Sequence, residues 1–332
     1  MTIDANDAHL VLAGDIGGTN ARLAIAREVD GRIEFDLQRE LKVRDFAGVA
    51  DALAEFLRHV PAPTPARACF AWAGPIDGRS ARLTNGAWTV DANALAARFR
   101  LPHLTLVNDF QAAAAGIDRV AEQDLIVLQP GVADPHASRL VIGAGTGLGV
   151  AYAIRDERGT RIVAGEGGHV AFAPLDDEQS ALLAHCRREL GRVTAEHLVS
   201  GSGIVRLYTF CRGRDGVAVL PEVAAGGAEE VVRRADAGDA AAQGALRLFC
   251  AILGAVAGDH ALSCLATGGV FVAGGIAAKL AERLTDGTFR DAFTAKGAHV
   301  ALMRRMPVWL VRDEALGLRG AAAIALADAG RD

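Results

Sequence analysis

The sequence predicts an α/β protein made of two similar units, each with the element order β-β-β-α-β-α, facing one another across a cleft. Three observations predict it. The chain has 332 residues, and at about 100–200 residues per domain that length suggests two domains. A short apolar run, a turn containing glycine and threonine, and a returning strand occur twice, around GDIGGTN and around GAGTGLG. Each meander is followed by alternating helical and strand-like segments, the grammar of a layered α/β unit. A single doubly wound sheet fits less well, because its first strand should feed a helix rather than a hairpin.

The elements follow in order. Residues 9–15 (HLVLAGD) form a short apolar run bounded by a turn, which reads as a buried strand. After the Gly17-Gly18 turn, residues 21–27 read as a second strand and 32–42 as a third, more polar one. Residues 46–60 carry Phe46, Val49, Leu53, Phe56, Leu57 and Val60 at helical spacing, one apolar face. Residues 68–73 form an apolar strand that ends at Gly74-Pro75. Asp91 is placed to cap a helix running to Arg100. A strand over 104–107 precedes Asn108-Asp109, where another helix should begin.

The second unit repeats the pattern. Strands are expected over 140–143, 149–154 and 160–164, then a long helical half from about 176 to 266. Its least regular part, 212–227, reads as a surface excursion. A strand over 270–273, a Gly274-Gly275 turn, a helix start over 276–284, a strand over 308–311 and an alanine-rich helix over 316–327 complete the chain. With no low-complexity linker between the halves, the domains are expected to be tied by helices rather than by a tether.

Composition limits the function. Apolar residues make up 51% and charged residues 23%, enough for a sizeable core and against wholesale disorder. The net charge is −5, and lysine occurs only at 42, 279 and 296. There is no broad basic field, so nucleic acid is not an expected partner. No G-x-x-x-x-G-K-[ST] loop exists, so nucleotide phosphates would have to be held another way. The start MTIDANDAHL lacks a basic segment followed by an apolar run, and apolar stretches are broken well before about 18 residues. A cytoplasmic protein without a membrane span is expected. The five cysteines (69, 186, 211, 250, 264) are scattered without C-x-x-C, as for reduced thiols.

Six segments carry chemistry. In Gly14-Asp15-Ile16-Gly17-Gly18-Thr19, an acid ends a buried strand before two glycines and a hydroxyl. Amides turned outward by such glycines make an anion nest, and Asp15 could hold a hydrated Mg²⁺ beside a phosphate. The same string also suits an ordinary hairpin turn. Gly145-Thr146-Gly147 repeats the arrangement for a second phosphate, with a plain flexible turn as the alternative. Asn108-Asp109 reads either as helix capping or as a carboxylate acting as general base at a strand's carboxyl end. Glu166 and His169 in GEGGH, with Glu196 in TAEH, could supply acceptors and donors for sugar hydroxyls; Glu196 reads equally well as a charge near a helix start. A metal site from Glu166, His169 and Glu196 or His197 is the competing reading, without a recognised ligand spacing. Gly274-Gly275 reads either as a plain strand-to-helix turn or as a surface on which an adenine ring and ribose would lie flat.

Taken together, GDIGGTNARLA, AGPIDG, LTNGAW, LVNDF, GAGTGLGVA, GEGGHVAFAP, EHLVSGSG and FVAGGIAAK resemble, in that order, the bacterial glucokinases of the non-zinc type. The resemblance covers residues 10 to 328, nearly the whole chain. It implies the two-domain actin-like (ribonuclease H-like) hexokinase fold, with a cleft between a small and a larger α/β domain. The expected domains are 1–118 with 310–332, and 119–309. It implies ATP-dependent phosphorylation of glucose at the 6-hydroxyl, the entry to glycolysis, in a homodimer using Mg²⁺. By this resemblance Asp109 is the catalytic base and Asn108 its sugar-binding neighbour. Glu166, His169 and Glu196 bind the sugar, and Gly14 to Thr19 with Gly145 to Gly147 line the ATP phosphates. The family often has a Gly-Ser-Gly-like turn after its last strand; here the chain reads Gly317-Leu318-Arg319-Gly320. A kinase of another hexose and a non-catalytic actin-like ATP-binding protein remain the alternatives.

Overall fold

The computed structural model describes residues 10–60, 65–157, 159–213 and 219–327. The expected strand start at His9, the segment read for a targeting signal and residues 214–218 of the expected excursion lie outside the described residues. The chain divides into two compact units, one of Met1–Ala121 with Asp313–Asp332 and one of Glu122–Arg312.

In the first unit, β1 (Val11–Ile16), β2 (Asn20–Val29) and β3 (Arg32–Lys42) form an antiparallel meander. β4 (Arg67–Trp72) then pairs parallel to β1. Helix α1 (Val49–Leu57) is shorter than the apolar spacing suggested, because Gly48 serves as its N-cap; Phe46 and Val60 still pack on the same core from outside it. Its buried Leu53 and Phe56 contribute about 1.5–3 kcal/mol each by leaving water. A small sheet of β5 (Ile76–Asp77), β6 (Ser80–Arg82) and β7 (Thr89–Asp91) was not legible in the sequence, since strands of two or three residues show no period. Asp91 caps α2 (Ala92–Phe99) by accepting from the amides of Asn93 and Ala94, an interaction of about 1 kcal/mol. Then β8 (His103–Asn108) completes the sheet order β3-β2-β1-β4-β8 and leads into α3 (Asp109–Gly116).

The last helix of the chain, Leu316–Ala327, belongs to this unit. It presses so closely on α3 that a Cβ on Gly320 would collide with the carbonyl of Ala112. The helix expected over 316–327 is found with those bounds; Gly317 to Gly320, where the family often has a turn, form its opening, and the helix contact requires glycine at 320.

The second unit repeats the meander with β10 (Arg139–Ala144), β11 (Leu148–Asp156) and β12 (Gly159–Gly165), preceded by β9 (Leu125–Gln129). Four helices follow, α4 (Asp177–Leu190), α5 (Gly201–Arg212), α6 (Pro221–Asp236) and α7 (Ala240–Cys264). The expected excursion over 212–227 is corrected at its far end. Pro221 starts α6 at a position where its missing amide costs nothing, and Gly227, at φ +58°, marks a kink rather than a loop. Then β13 (Val270–Ala273), α8 (Gly275–Lys279), α9 (Ala281–Leu284), α10 (Thr288–Thr294), α11 (Val300–Met303) and β14 (Val308–Val311) close the unit. The helix start expected over 276–284 is two short helices, α8 and α9, meeting at Leu280.

The second sheet runs β12-β11-β10-β13-β14-β9. Thus the β-β-β-α-β-α order holds in both units and is followed in each by one further sheet strand, β8 in the first and β14 in the second, with β9 added antiparallel to β14 at an edge. Helix α7 is long and apolar enough to cross a membrane by length and composition, yet two-thirds of its most apolar stretch is buried within the structure. It is a core helix of this unit, its Phe249 and Leu253 buried in one apolar cluster with Phe289 of the later helix Thr288–Thr294.

Candidate active site

In the first unit, the parallel strands β1, β4 and β8 are in register with Ile16 beside Trp72 and Trp72 beside Asn108. The turns that follow these residues therefore leave one carboxyl edge, the edge where open α/β sheets bind ligands. With strands about 4.8 Å apart, Ile16 and Asn108 stand about 10 Å from each other. The turn after β1 closes when the Gly17 amide donates to the Asn20 carbonyl at 2.9 Å. The amides of Gly18 and Thr19 donate to no described residue. Gly18 is glycine for a packing reason too, since a Cβ there would collide with the Asn85 carbonyl.

The Asp15 side chain, about one-fifth exposed, faces Arg22 across the β1–β2 ladder at 3.9 Å. Among the described residues its carboxylate accepts no hydrogen bond. Burial raises its pKa above the usual carboxylate range, and the Arg22 charge opposes this only in part. Arg22 in turn donates to Glu40 at 3.0 Å and to the Glu314 carbonyl at 3.3 Å. A half-buried acid short of donors suits a hard, hydrated cation held through water. Sequence reasoning missed Arg22, although a strand partner of Asp15 could have been found by counting back across the three-residue turn.

Asn108 performs the capping that its position suggested. Its Oδ1 accepts from the amides of Phe110 at 3.0 Å and Gln111 at 3.4 Å. That leaves its amide NH₂ as a donor. Asp109, first residue of α3 and partly buried, takes the Phe110 amide on Oδ1 at 2.9 Å. Carboxylate and carboxamide thus stand side by side where the helix dipole favours negative charge.

In the second unit, the turn after β10 repeats the first. The Gly145 amide donates to the Gly147 carbonyl at 2.8 Å, so it is used inside the turn; the amides of Thr146 and Gly147 donate to no described residue. The Gly145 carbonyl accepts from Gly201 at 3.0 Å, which ties the turn to the start of α5, capped by Ser200. The Gly274-Gly275 turn lies beside it, because Gly143 pairs with Ala273 in the parallel β10–β13 ladder.

Glu166, His169 and Glu196 converge. His169 Nε2 lies 3.9 Å from Glu166 Oε2 and 4.0 Å from Glu196 Oε1. The other Glu196 oxygen accepts from the Leu148 amide at 2.9 Å. This brings Glu196 directly beneath the turn, and a Cβ on Gly147 would collide with Glu196 Oε2. Backbone bonds lace the rest: the Glu196 amide donates to Gly168, and Arg192 donates to the His169 carbonyl at 3.3 Å. The competing metal reading finds no support among the described residues, where no three acids, imidazoles or thiols meet as ligands. His197 has its Nδ1 occupied by the Thr194 amide at 3.1 Å, and burial with the nearby Arg206 charge lowers its pKa.

Comparison with known proteins adds the family. The glucokinase family model matches residues 12–328. The chain belongs to the glucokinase family. A glucokinase of Chromohalobacter salexigens is 38% identical over 311 residues, covering 93% of this chain and 95% of that protein. A solved glucokinase from an Antarctic psychrotroph superposes with a TM-score of 0.86 at 32% identity, covering 96% and 98% of the two chains. A Streptomyces griseus glucokinase of the ROK family, solved with glucose and AMPPNP, shares the fold with a TM-score of 0.63 at 22% identity, covering 95% and 98%. The fold of these glucokinases is the two-domain actin-like fold of sugar kinases.

Proposed function

We infer that this glucokinase-family enzyme transfers the γ-phosphoryl group of ATP to the 6-hydroxyl of glucose, forming glucose 6-phosphate. The observation that carries the sugar half is the convergence of Glu166, His169 and Glu196 about one imidazole. Two carboxylates and a ring nitrogen supply acceptors and donors for neighbouring hydroxyls, a pattern that rejects substrates lacking them. The phosphate half rests on the paired turns, each with two outward amides that have no described acceptor: Gly18 and Thr19, and Thr146 and Gly147.

We assign the roles accordingly. The turns within Gly14 to Thr19 and Gly145 to Gly147 hold the ATP phosphates through the amides of Gly18, Thr19, Thr146 and Gly147, and Asp15 orients hydrated Mg²⁺. When bound, that cation neutralises charge on the phosphates. Asn108 donates to the sugar through its free NH₂, and Asp109 accepts the proton of the attacking hydroxyl. Little covalent chemistry is asked of the protein, since phosphoryl transfer depends on positioning and charge neutralisation. The protein is proposed to act in the cytoplasm as a homodimer.

The test is a coupled assay over a panel of hexoses and phosphoryl donors. Turnover is expected with glucose and ATP, and Asp109→Asn should lower kcat by at least about 10²-fold while circular dichroism stays unchanged. Absence of turnover with any hexose would sink the sugar-kinase reading. An Asp109→Asn enzyme of near-normal kcat would remove Asp109 alone from its role.

A further inference from the structure

One polar pair, a buried histidine and a partly buried tyrosine, has no place in the chemistry above. His260, on α7 and 8% exposed, lies in an otherwise apolar core. Its Nδ1 is 2.7 Å from the Tyr152 hydroxyl on β11, and its Nε2 is 3.3 Å from the Gly167 carbonyl. A neutral imidazole has one donor and one acceptor, and this arrangement uses both. The Tyr152 hydroxyl donates to Nδ1, which places the proton on Nε2, and Nε2–H donates to Gly167. Tyr152 therefore selects the tautomer that can hold the carbonyl. Burial depresses the His260 pKa and raises that of Tyr152, which keeps both partners in the neutral forms this requires.

The carbonyl so held is that of the residue after Glu166 and two before His169. Gly167–His169 is a single 3-10 turn outside the sheet ladders. Two consecutive glycines leave such a turn with large backbone freedom unless something fixes it. The fixing is close: a Cβ on Gly167 would stand 2.7 Å from His260 Cε1 and 2.8 Å from Val150 Cβ. An apolar residue at 260 would fill the core without the desolvation cost of an imidazole. The side chains argued to meet the sugar flank the one carbonyl that this imidazole bonds.

We propose that Tyr152 and His260 are positioning residues for glucose, a hydrogen-bonded pair that fixes the Gly167 carbonyl and through it the orientation of Glu166 and His169. This rests on the sugar-binding reading of those two side chains.

Calorimetric glucose binding without nucleotide, together with steady-state kinetics, tests it in Tyr152→Phe, His260→Leu, His260→Gln and the Tyr152→Phe/His260→Leu double variant. Losing the bonded pair should weaken glucose binding and raise its KM roughly 3- to 10-fold, while the KM for ATP stays within about twofold. Glutamine can accept from Tyr152 and donate to Gly167, so His260→Gln should recover most of the affinity. The double variant should be no worse than the worse single one, since either change breaks the same relay. Unchanged glucose affinity in Tyr152→Phe and His260→Leu overturns the proposal. So does a parallel loss of glucose and ATP affinity with a lowered Tm and no rescue by glutamine, which would make the pair mere packing. A wild type that binds no glucose overturns both this assignment and the sugar-kinase reading; a wild type that binds it beside unaffected variants overturns this assignment alone.

Discussion

Asp15 carries a buried charge that is only partly compensated. Its pKa is raised by burial, with Arg22 at 3.9 Å as a partial offset. The sign of the consequence is fixed. A carboxyl whose folded pKa exceeds its unfolded value binds its proton more tightly when folded. Its contribution to stability is present at pH below the ordinary carboxylate value and is lost as pH rises through the raised one. At neutral pH ionised Asp15 therefore costs stability. Asp15→Asn should melt higher than the wild type at pH 7, with the difference shrinking toward pH 4, while kcat/KM falls by at least about 10²-fold. Thermal melts across that pH range check the first part and the coupled assay the second. A variant that melts lower at pH 7 would show that the charge is satisfied. At this scale the sequence was readable where a residue's neighbours in the chain are its partners. Asn108 was legible as a cap because it bonds residues two and three positions on. His260 was not, because its partners lie 108 and 93 residues away.

At the scale of elements, the two glycine turns were legible as turns, and their internal wiring was not. Gly147 stands in a turn assigned to nucleotide, yet it leaves room for Glu196, assigned to sugar, whose carboxylate takes the next amide. Gly147→Ala should therefore raise the KM for glucose by about 5-fold or more through displaced Glu196, in addition to any effect on ATP. Glucose binding measured without nucleotide isolates the first effect, and an unchanged glucose affinity would disconnect the turn from Glu196. Long periodic or strongly apolar segments were read nearly in place, as β3 and β13 show. The strands β5 to β7 were missed for their shortness. The edge strand β9 did have a signal, the run LIVLQ bounded by Asp124 and Pro130, but nothing local said which strand it would join. The start of α6 lies in the irregular stretch that the sequence marks as a surface excursion; in the structure proline opens the helix, and Val223 and Val231 are buried.

At the scale of the whole molecule, each of the three buried clusters lies within one unit. Cores that are separate can melt separately, so the calorimetric enthalpy of unfolding should exceed the van't Hoff enthalpy. Equality of the two would show a single cooperative unit. The sequence by itself determined the α/β class, the doubled meander, the order of elements and the family, because hydrophobic period, turn chemistry and motif order are local in the chain. It also named Asp109, Glu166, His169 and Glu196, whose residue types fit the chemistry. Only the tertiary structure decided that Glu166, His169 and Glu196 meet at one imidazole, that Arg22 faces Asp15, and that a histidine bonded to a tyrosine holds the Gly167 carbonyl. Those facts depend on which strands pair and which helix packs under them, and the free energy that selects them comes from burial summed over residues far apart in sequence.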